Sequence, residues 1–366
     1  MILGPDTKMM FKLRGNLIKD IIKHDNEVTV VVFDDKYKSE LEKDGSKVIV
    51  INAKRTSLNP FNDVKLFFLY KKIIKSEKVD VVFSYSIKPV LYGSIAAKCS
   101  KIKDIFALMP GLGYAFKKDI RIMRLISPFI NFLYKKAFKY CDKVFIQNKE
   151  DKNDLINRKL LKNDKCVLIN GSGVDLQKFN PEPMPEKISF IMISRLLHDK
   201  GVIEYLKASE LIKKKYPKVQ FKLAGAFDSN PKVISKNELD YYTKNDIVSY
   251  LGEMDDVTQT LKDSSALVLP TYYQEGIPRI ILEAMAMSRP VLTTDWRGCN
   301  FAVVNNFTGI LVPIKDYIAL SKKMEWMIKN PKKVEIMGQK GRKRAVEFFD
   351  VNNVNQVILK NMKLTK

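Results

Sequence analysis

Glu275 and Glu283 are two acids whose spacing suits recognition of the hydroxyl groups of a ligand. Before them, residues 266–269 form a short, partly β-branched apolar run, which predicts a buried parallel strand. Pro278 suits the first turn of a helix, and residues 279–288 contain good helix formers and no glycine. The pattern predicts strand, loop and helix, with Glu275 in the loop and Glu283 about one and a half turns into the helix.

The predicted loop and helix start also suit a phosphate. A helix N-terminus presents unpaired backbone N–H groups and a partial positive charge. Gly276 has no Cβ, so a ligand can approach its backbone closely. We therefore expect a nucleotide diphosphate carrying a sugar, with the helix start at the phosphates and the two acids at hydroxyl groups. Taken alone, the spacing of the acids leaves open a surface helix with two solvated glutamates.

A charged loop predicted at residues 194–201 carries the cations that such a ligand needs. It follows an apolar run at residues 188–193, which predicts a strand, and it contains Arg195 and Lys200. Arg can donate two hydrogen bonds to a phosphate, and Lys adds a compact charge. Because both loops follow strands of one parallel sheet, we expect this loop to lie beside residues 276–278. An exposed turn is the alternative for these residues alone.

Alternating strand and helix patterns predict an α/β fold with two domains. A chain of 366 residues exceeds the usual size of a single core, and the alternation runs through both halves. Three prolines between residues 179 and 185 indicate a linker. We therefore expect a first domain at residues 1–182 and a second at residues 183–345, followed by a C-terminal helix at residues 346–366.

Glycines follow two predicted strands of the first domain. Gly4 comes after a strand at residues 1–3, and Gly111 and Gly113 come after a strand at residues 104–109. Ligands of open α/β sheets bind at the carboxyl ends of strands. We therefore expect Gly4 near the donor, and Gly111 with Gly113 near the transferred sugar or the acceptor. A plain turn is an equal alternative for the glycine pair.

The charge balance predicts an anionic partner. The formal net charge is +23, with +14 in residues 1–185 and +9 in the rest. Such an excess suits membrane phospholipid, nucleic acid or a phosphorylated substrate, although a lysine-rich genome would also produce it. Residues 116–140 combine seven basic side chains with one acid and six aromatic rings, which suits a lipid interface. An ordinary helix with a core-facing aromatic stripe and a solvated basic face is the alternative.

The cysteines and the hydropathy pattern predict a protein of the cytosol. Four widely spaced cysteines form no metal-type pair and fit a reducing compartment. We recognise no secretory signal and no apolar run of the roughly 18–20 residues that would span a bilayer. The protein is therefore expected in the cytoplasm, where it can act on the membrane surface.

The chain resembles the retaining nucleotide-sugar glycosyltransferases of family 4 over nearly its whole length. The resemblance rests on the order and spacing of several motifs. These are Gly171-Ser172-Gly173-Val174-Asp175, Phe179-Asn180-Pro181, Ser194-Arg195 with Lys200-Gly201, Tyr250-Leu251-Gly252, Glu275-Gly276-Ile277-Pro278, Glu283-Ala284-Met285-Ala286, Arg289-Pro290-Val291 and Thr308-Gly309-Ile310-Leu311-Val312. In the first half, residues 58–60, 85–89 and 111–113 look like bacterial members that build lipid-linked oligosaccharide, O-antigen or capsule. One such group is the N-acetylgalactosamine transferases acting on diphospho-undecaprenol-linked sugar.

The resemblance implies the GT-B fold, in which two Rossmann-like doubly wound domains face each other across a cleft. The donor, with a UDP-sugar favoured, binds mainly to the second domain, and the acceptor enters from the first. The final helix crosses back to the first domain. The acceptor is a lipid-diphosphate-linked sugar, which places the enzyme peripherally on the inner face of the cell membrane. No cofactor, no metal and no nucleic acid are implied.

The resemblance also implies roles for the site residues. Arg195 and Lys200 hold the diphosphate and stabilise it as the leaving group, Glu275 contacts the transferred sugar, and Glu283 contacts the ribose. The other donor-binding residues are Gly4, Leu251, Gly276, Ile277 and Pro278. Arg195, Lys200 and Glu275 are the catalytic residues of a reaction that retains the anomeric configuration by attack on the face from which the diphosphate leaves.

The first domain departs from the family in one respect. Many relatives have a histidine near the sugar, whereas the only histidine of the first half is His24, in a predicted turn. Tyr85 and Lys88 are predicted on the acceptor side in place of this histidine.

A sugar-nucleotide epimerase with the same fold is the alternative activity. A nucleic-acid-binding protein is a remote alternative, because the chain carries no recognised nucleic-acid motif.

Overall fold

The computed structural model describes residues 1–53, 60–112, 121–227, 230 and 232–365, with the backbone alone at residues 60 and 121–126. Gly113, residues 58 and 59, and residues 116–120 of the predicted lipid-facing stretch lie outside this description. The chain divides into two compact units. The first unit is Met1–Ser172 with Val351–Lys366, and the second is Gly173–Asp350.

The first unit contains a parallel sheet. Its strands are β1 (Ile2–Leu3), β2 (Thr29–Val32), β3 (Lys47–Val50), β4 (Val81–Tyr85), β5 (Asp104–Met109), β6 (Lys143–Ile146) and β7 (Cys166–Leu168). The strand order is β3-β2-β1-β4-β5-β6-β7, and every pair is parallel. The order reverses between β1 and β4, and the ends of strands at such a point are where ligands bind in open α/β sheets.

Helices cover both faces of this sheet. They are α1 (Thr7–Lys23), α2 (Lys38–Lys43), α3 (Pro60–Ser76), α4 (Ser94–Cys99), α5 (Arg121–Tyr140) and α6 (Lys149–Asn157), with a π-helical turn at Pro89–Gly93. Successive residues of a strand pack in the hydrophobic cores on opposite faces of the sheet. Ile2 belongs to one core and Leu3 to the other. Burial on both faces explains why the strands are continuous apolar runs.

Two helices of the first unit differ from prediction. Helix α1 begins at Thr7, before the predicted start at residue 11, because the side chain of Asp6 accepts a hydrogen bond from the backbone N–H of Met9 at 2.7 Å. The helix predicted at residues 90–100 is divided into the π-helical turn and α4. At the junction, a Cβ on Gly93 would lie 2.3 Å from Leu3 Cδ1, so the chain packs closely on β1 there.

The second unit repeats the architecture. Its strands are β8 (Ser189–Ile193), β9 (Gln220–Ala224), β10 (Ser249–Tyr250), β11 (Ala266–Leu269), β12 (Val291–Thr294) and β13 (Gly309–Val312). Their order is β10-β9-β8-β11-β12-β13, all parallel, and it reverses between β8 and β11. The helices are α7 (Val202–Lys215), α8 (Lys236–Lys244), α9 (Thr258–Lys262), α10 (Arg279–Ala286), α11 (Cys299–Ala302), α12 (Tyr317–Lys329) and α13 (Pro331–Phe348).

The last helix, α14 (Val351–Met362), belongs to the first unit. Ile358 and Leu359 are fully buried in the core that also contains side chains of α1. Asn355 donates a hydrogen bond to Asp20 of α1 at 2.7 Å. An apolar face and a buried amide therefore fix α14 on the first sheet.

The boundaries of the units differ from those predicted at 182/183 and 345/346. The second unit begins at Gly173, because Val174 and Phe179 are buried in its core. The proline-rich stretch is not a free linker: the buried guanidinium of Arg289 donates to the carbonyl oxygens of Glu182 at 2.7 Å and Pro183 at 2.8 Å. The chain leaves the second unit after Asp350, beyond the end of α13.

Candidate functional site

Two loops meet at the carboxyl edge of the second sheet, where the strand order reverses. One follows β8 and the other follows β11. The backbone N–H of Tyr272 donates to the carbonyl oxygen of Asp199 at 2.8 Å. Gly201 has a φ of +79°, and a Cβ there would lie 2.1 Å from the carbonyl oxygen of Pro270. The predicted proximity of the loops is confirmed, and it depends on a glycine at position 201.

Lys200 and Glu275 form an ion pair between these loops. Lys200 Nζ lies 2.5 Å from Glu275 Oε1, and the hydroxyl of Thr271 lies 3.5 Å from the same oxygen. Lys200 is only 8% exposed. A charge so poorly hydrated interacts strongly with its neighbours, since water screens it little. The structure therefore brings together two of the three residues assigned to catalysis.

The ring of Tyr273 lies close to both Arg195 and Lys200. The Arg195 guanidinium carbon lies 5.4 Å from the centre of the Tyr273 ring, and Lys200 Nζ lies 5.2 Å from it. The indole N–H of Trp296 donates to the carbonyl oxygen of Tyr273 at 3.2 Å. Both cations thus stand at one aromatic ring, an arrangement that can attract a dianionic phosphate. Tyr273 was not predicted as a site residue, although it lies only two residues before Glu275.

Glu283 lies on α10, where it pairs with Arg279. Arg279 Nε donates to Glu283 Oε1 at 2.9 Å, and the Glu283 side chain is 13% exposed. Burial raises the pKa of Glu283, while the nearby charges of Arg279 and Lys178 oppose this shift. Arg279 was not predicted as a site residue. Its position four residues before Glu283 was the available signal, because side chains at that spacing meet on a helix.

The start of α10 is held close to the neighbouring loop. Gly276, Ile277 and Pro278 are buried, and Pro278 is the residue before the first helical turn. Gly298 has a φ of +79°, and a Cβ on it would lie 1.8 Å from the carbonyl oxygen of Gly276. The helix ends at Ala286, before the predicted end at residue 288. The backbone of the predicted phosphate loop is thus fixed by close packing.

Leu251 follows β10 on the same sheet. Its backbone N–H donates to the carbonyl oxygen of Leu223 at 2.8 Å, and its side chain is 42% exposed. Nearby, Gly225 donates to the carbonyl oxygen of Gly252 at 2.8 Å, and a Cβ on Gly225 would lie 1.7 Å from the carbonyl oxygen of Ser194. Leu251 therefore offers an apolar surface at the strand end next to the loop that carries Arg195.

The residues predicted in the first unit have different environments. Gly4 is buried at the end of β1, where a Cβ would lie 2.4 Å from Met10 Sδ. Tyr85 is fully buried, and the Arg14 guanidinium carbon lies 4.8 Å from its ring centre. The prediction that Tyr85 contacts an acceptor does not fit this burial, because the ring packs in the core. Gly111 is partly exposed and has a φ of +155°.

Lys88 is held by Asp63. Lys88 Nζ lies 2.6 Å from one Asp63 oxygen, and the hydroxyl of Tyr92 donates to the other at 2.9 Å. The side chains of Lys88 and Asp63 are 12% and 15% exposed. An acceptor would have to compete with Asp63 for the lysine charge. In the part of the chain that the structure describes, no three His, Cys, Asp or Glu side chains are grouped as metal ligands.

Comparisons of the sequence identify relatives of both halves of the chain. The family model described as glycosyl transferases group 1 matches residues 174–344, and the model described as glycosyl transferase 4-like matches residues 5–148. The N,N'-diacetylbacillosaminyl-diphospho-undecaprenol alpha-1,3-N-acetylgalactosaminyltransferase of Campylobacter jejuni is 31% identical over 96% of this chain and 94% of its own length. The UDP-Gal:alpha-D-GlcNAc-diphosphoundecaprenol alpha-1,3-galactosyltransferase of Escherichia coli is 25% identical over 81% of this chain and 78% of its own.

Solved structures match the fold. HepE of Anabaena in complex with UDP and glucose has a TM-score of 0.81 and 17% identity, covering 99% of this chain and 98% of that one. Sucrose-phosphate synthase of Thermosynechococcus elongatus has a TM-score of 0.80 and 16% identity, covering 99% and 97%. The predicted α/β class and GT-B fold are confirmed.

Proposed function

Because this chain belongs to the glycosyl transferases of group 1, we propose that it transfers a sugar from a nucleotide-sugar donor to a lipid-diphosphate-linked sugar in the synthesis of a surface polysaccharide or glycan. The observation that carries the proposal is that Arg195 and Lys200 both lie at the ring of Tyr273, while Lys200 is paired with Glu275. Two relatives named above act on diphospho-undecaprenol-linked sugars, which supports the choice of acceptor. A UDP-sugar is the favoured donor.

In this proposal, the diphosphate binds at Arg195 and Lys200. As the glycosidic bond to the donor breaks, negative charge grows on the leaving diphosphate, and these two cations stabilise it. The acceptor hydroxyl attacks on the face from which the diphosphate leaves, so the anomeric configuration is retained. The fixed backbone at Gly276, Ile277 and Pro278 supports the phosphate or the sugar without reorganising during the reaction.

The Lys200–Glu275 pair links diphosphate binding to sugar binding. The pair is closed, with 2.5 Å between Nζ and Oε1. A diphosphate that takes Lys200 as its counter-charge releases the Glu275 carboxylate, which can then accept hydrogen bonds from hydroxyls of the transferred sugar. Glu283 binds the ribose, and Leu251 covers the nucleoside. We also propose that Gly4 contributes to donor binding, and that Lys88, Gly111 and Gly113 contribute to acceptor binding.

Helix α5 is the proposed contact with the membrane. Phe129 and Phe132 are 59% and 55% exposed, and Lys136 Nζ lies 5.5 Å from the centre of the Phe132 ring. The helix contains no acidic residue. Aromatic rings beside lysines suit an anionic lipid interface, and the proposed location is the inner face of the cell membrane. None of the described helices is both long enough and apolar enough to cross a bilayer.

A product analysis tests the proposed reaction. The purified chain is incubated with UDP-, GDP- and dTDP-sugars, with and without a diphospho-undecaprenol-linked monosaccharide, and the products are identified by mass spectrometry. We expect acceptor-dependent transfer of one sugar from one donor. Conversion of the donor in the absence of acceptor, with no glycosylated lipid formed, would instead identify the epimerase.

Charge reversal on α5 should weaken membrane binding. In Lys135→Glu/Lys136→Glu, each lysine loses an attraction of about 1 kcal/mol to an anionic surface, so binding to phosphatidylglycerol vesicles should fall at least about tenfold. The matched control is Lys322→Glu/Lys323→Glu, which reverses two adjacent exposed lysines on α12. Vesicle sedimentation measures both. Equal losses in the two variants would show that net charge, and not α5, governs binding.

A further inference from the structure

Helix α3 carries three apolar side chains that are largely exposed to solvent. Phe61, Val64 and Phe68 are 83%, 55% and 59% exposed. Their spacing of three and four residues places them on one side of the helix. Side chains of this size rarely stand together in water without a function, because each contact with solvent costs free energy.

A different side of α3 holds the helix on the sheet. Leu66, Tyr70 and Ile74 are at most 3% exposed and belong to the core of the first unit. The helix is therefore apolar on two sides, and the side with Leu66, Tyr70 and Ile74 anchors it in the core. Replacing side chains of the outward stripe should leave the core intact.

The net positive charge of α3 favours an anionic partner. The helix contains four lysines and one acid. That acid, Asp63, is neutralised by Lys88 at 2.6 Å, so it does not offset the lysines. Lys65, Lys72 and Lys75 are exposed. Phenylalanines followed by lysines along one helix form the pattern of a segment that lies in an anionic lipid interface.

Helix α3 lies in the same layer as α5. Both α3 and α5 pack against α4 and against the π-helical turn at Pro89–Gly93. Each of the two helices thus has its buried side on the same part of the first unit and carries exposed phenylalanines and lysines elsewhere on its surface. A flat bilayer can contact two helices of one layer at once.

We propose that α3 is a second membrane-binding helix, whose outward stripe of Phe61, Val64 and Phe68 inserts into the interface of an anionic bilayer while its lysines contact the lipid phosphates. The inference rests on the proposed function in one respect: the bilayer is the place where a lipid-linked acceptor would be found. It differs from that proposal by assigning the contact to a helix that carries none of the assigned site residues.

Vesicle binding by the full chain tests this surface. The variant Val64→Ser/Phe68→Ser is compared with wild type on phosphatidylglycerol/phosphatidylethanolamine vesicles and on phosphatidylcholine vesicles. The control Phe307→Ser/Ile336→Ser removes two side chains of the second unit that are each 50% exposed. We expect the α3 variant to bind anionic vesicles about tenfold more weakly and the control less than about twofold more weakly, since apolar insertion supplies part of the affinity. Binding of the α3 variant at wild-type strength would overturn the proposal.

A label provides a readout that does not depend on loss of binding. In a Cys99→Ser background, which removes an exposed native thiol, an environment-sensitive fluorophore on Val64→Cys should shift to the blue on anionic vesicles, whereas the same label on Ile336→Cys should not. Self-association of wild type in sedimentation, abolished by the α3 substitutions, would identify a second copy of the chain as the occupant and refute the membrane. An unresponsive label in an enzyme that still transfers sugar would refute the α3 contact alone. Absence of any transfer by wild type would refute the proposed reaction without affecting the vesicle measurements.

Discussion

Replacing Lys200 by methionine should lower the turnover number of sugar transfer by about 100- to 1,000-fold, the usual effect of losing one group that stabilises charge in a transition state. Methionine keeps much of the side-chain length and removes the charge. Lys200 is 8% exposed, so the charge that is lost acts in a poorly screened environment. We expect a similar loss for Arg195→Ala, because Arg195 shares the ring of Tyr273 with Lys200.

A double variant separates catalysis from loop structure. If Lys200 acts only by holding Glu275 in place, then Lys200→Met should add no further loss of turnover in a Glu275→Gln background. If Lys200 stabilises the leaving diphosphate, Lys200→Met/Glu275→Gln should be much slower than Glu275→Gln alone, and this is the result we expect. Lys214→Met is the matched control, since Lys214 forms a surface pair with Glu210 at 2.9 Å. The control should keep wild-type turnover.

Replacing Glu283 should mainly affect donor binding. In Glu283→Gln the carboxylate that accepts ribose hydroxyls becomes a neutral amide, and a hydrogen bond to a charged group contributes about 1.5–3 kcal/mol. The Michaelis constant for the donor should therefore rise by about 10- to 100-fold. Glu283→Ala should remove most activity while the protein stays folded. Steady-state kinetics with varied donor measure both, with Glu210→Gln as the control because Glu210 also pairs across one helical turn.

The pH dependence gives Glu283 a distinctive signature. Burial raises its pKa above the ordinary value, so the folded protein holds this proton more tightly than the unfolded chain does. As pH falls through the raised pKa, the carboxylate is neutralised and donor affinity should decrease. The same protonation should increase the free energy of unfolding, because the unfolded chain binds fewer protons in that range.

Donor affinity and stability should thus change in opposite directions over one pH interval. Glu283→Gln has no carboxyl group to titrate, so both changes should be absent in that variant. Titrations of the Michaelis constant and of denaturant unfolding provide the measurement. A wild-type protein whose donor affinity stays constant through the interval would contradict the assignment of Glu283 to the ribose.

The arrangement of strands and loops was largely readable from the sequence. Strands β8 and β11 are short continuous apolar runs because both faces of a parallel sheet are buried. Each is followed by a helix, so the residues in the intervening loops had to lie at the carboxyl edge. This local pattern was enough to place Arg195, Lys200, Glu275 and the start of α10 on one edge of a sheet.

Other features depended on packing between distant segments. Residues 179–185 were predicted to be a linker because they contain three prolines. Arg289, far along the chain, instead binds this stretch to the second unit through the backbone carbonyls of Glu182 and Pro183. Tyr85 was predicted on the acceptor side in place of the missing family histidine, but its ring is buried in the core beside Arg14. Neither contact could be read from the sequence, because the two partners are far apart along the chain.

The sequence by itself determined which residues stand at strand ends, because hydrophobic periodicity is a local property of the chain. It also carried the motifs of the glycosyltransferase family. Only the tertiary structure decided that Lys200 is paired with Glu275, that Tyr273 lies beside both cations, and that Glu283 is buried against Arg279. The physical reason is that pairing and burial depend on which strands are neighbours. That order is set by the packing of the whole unit and not by any one segment.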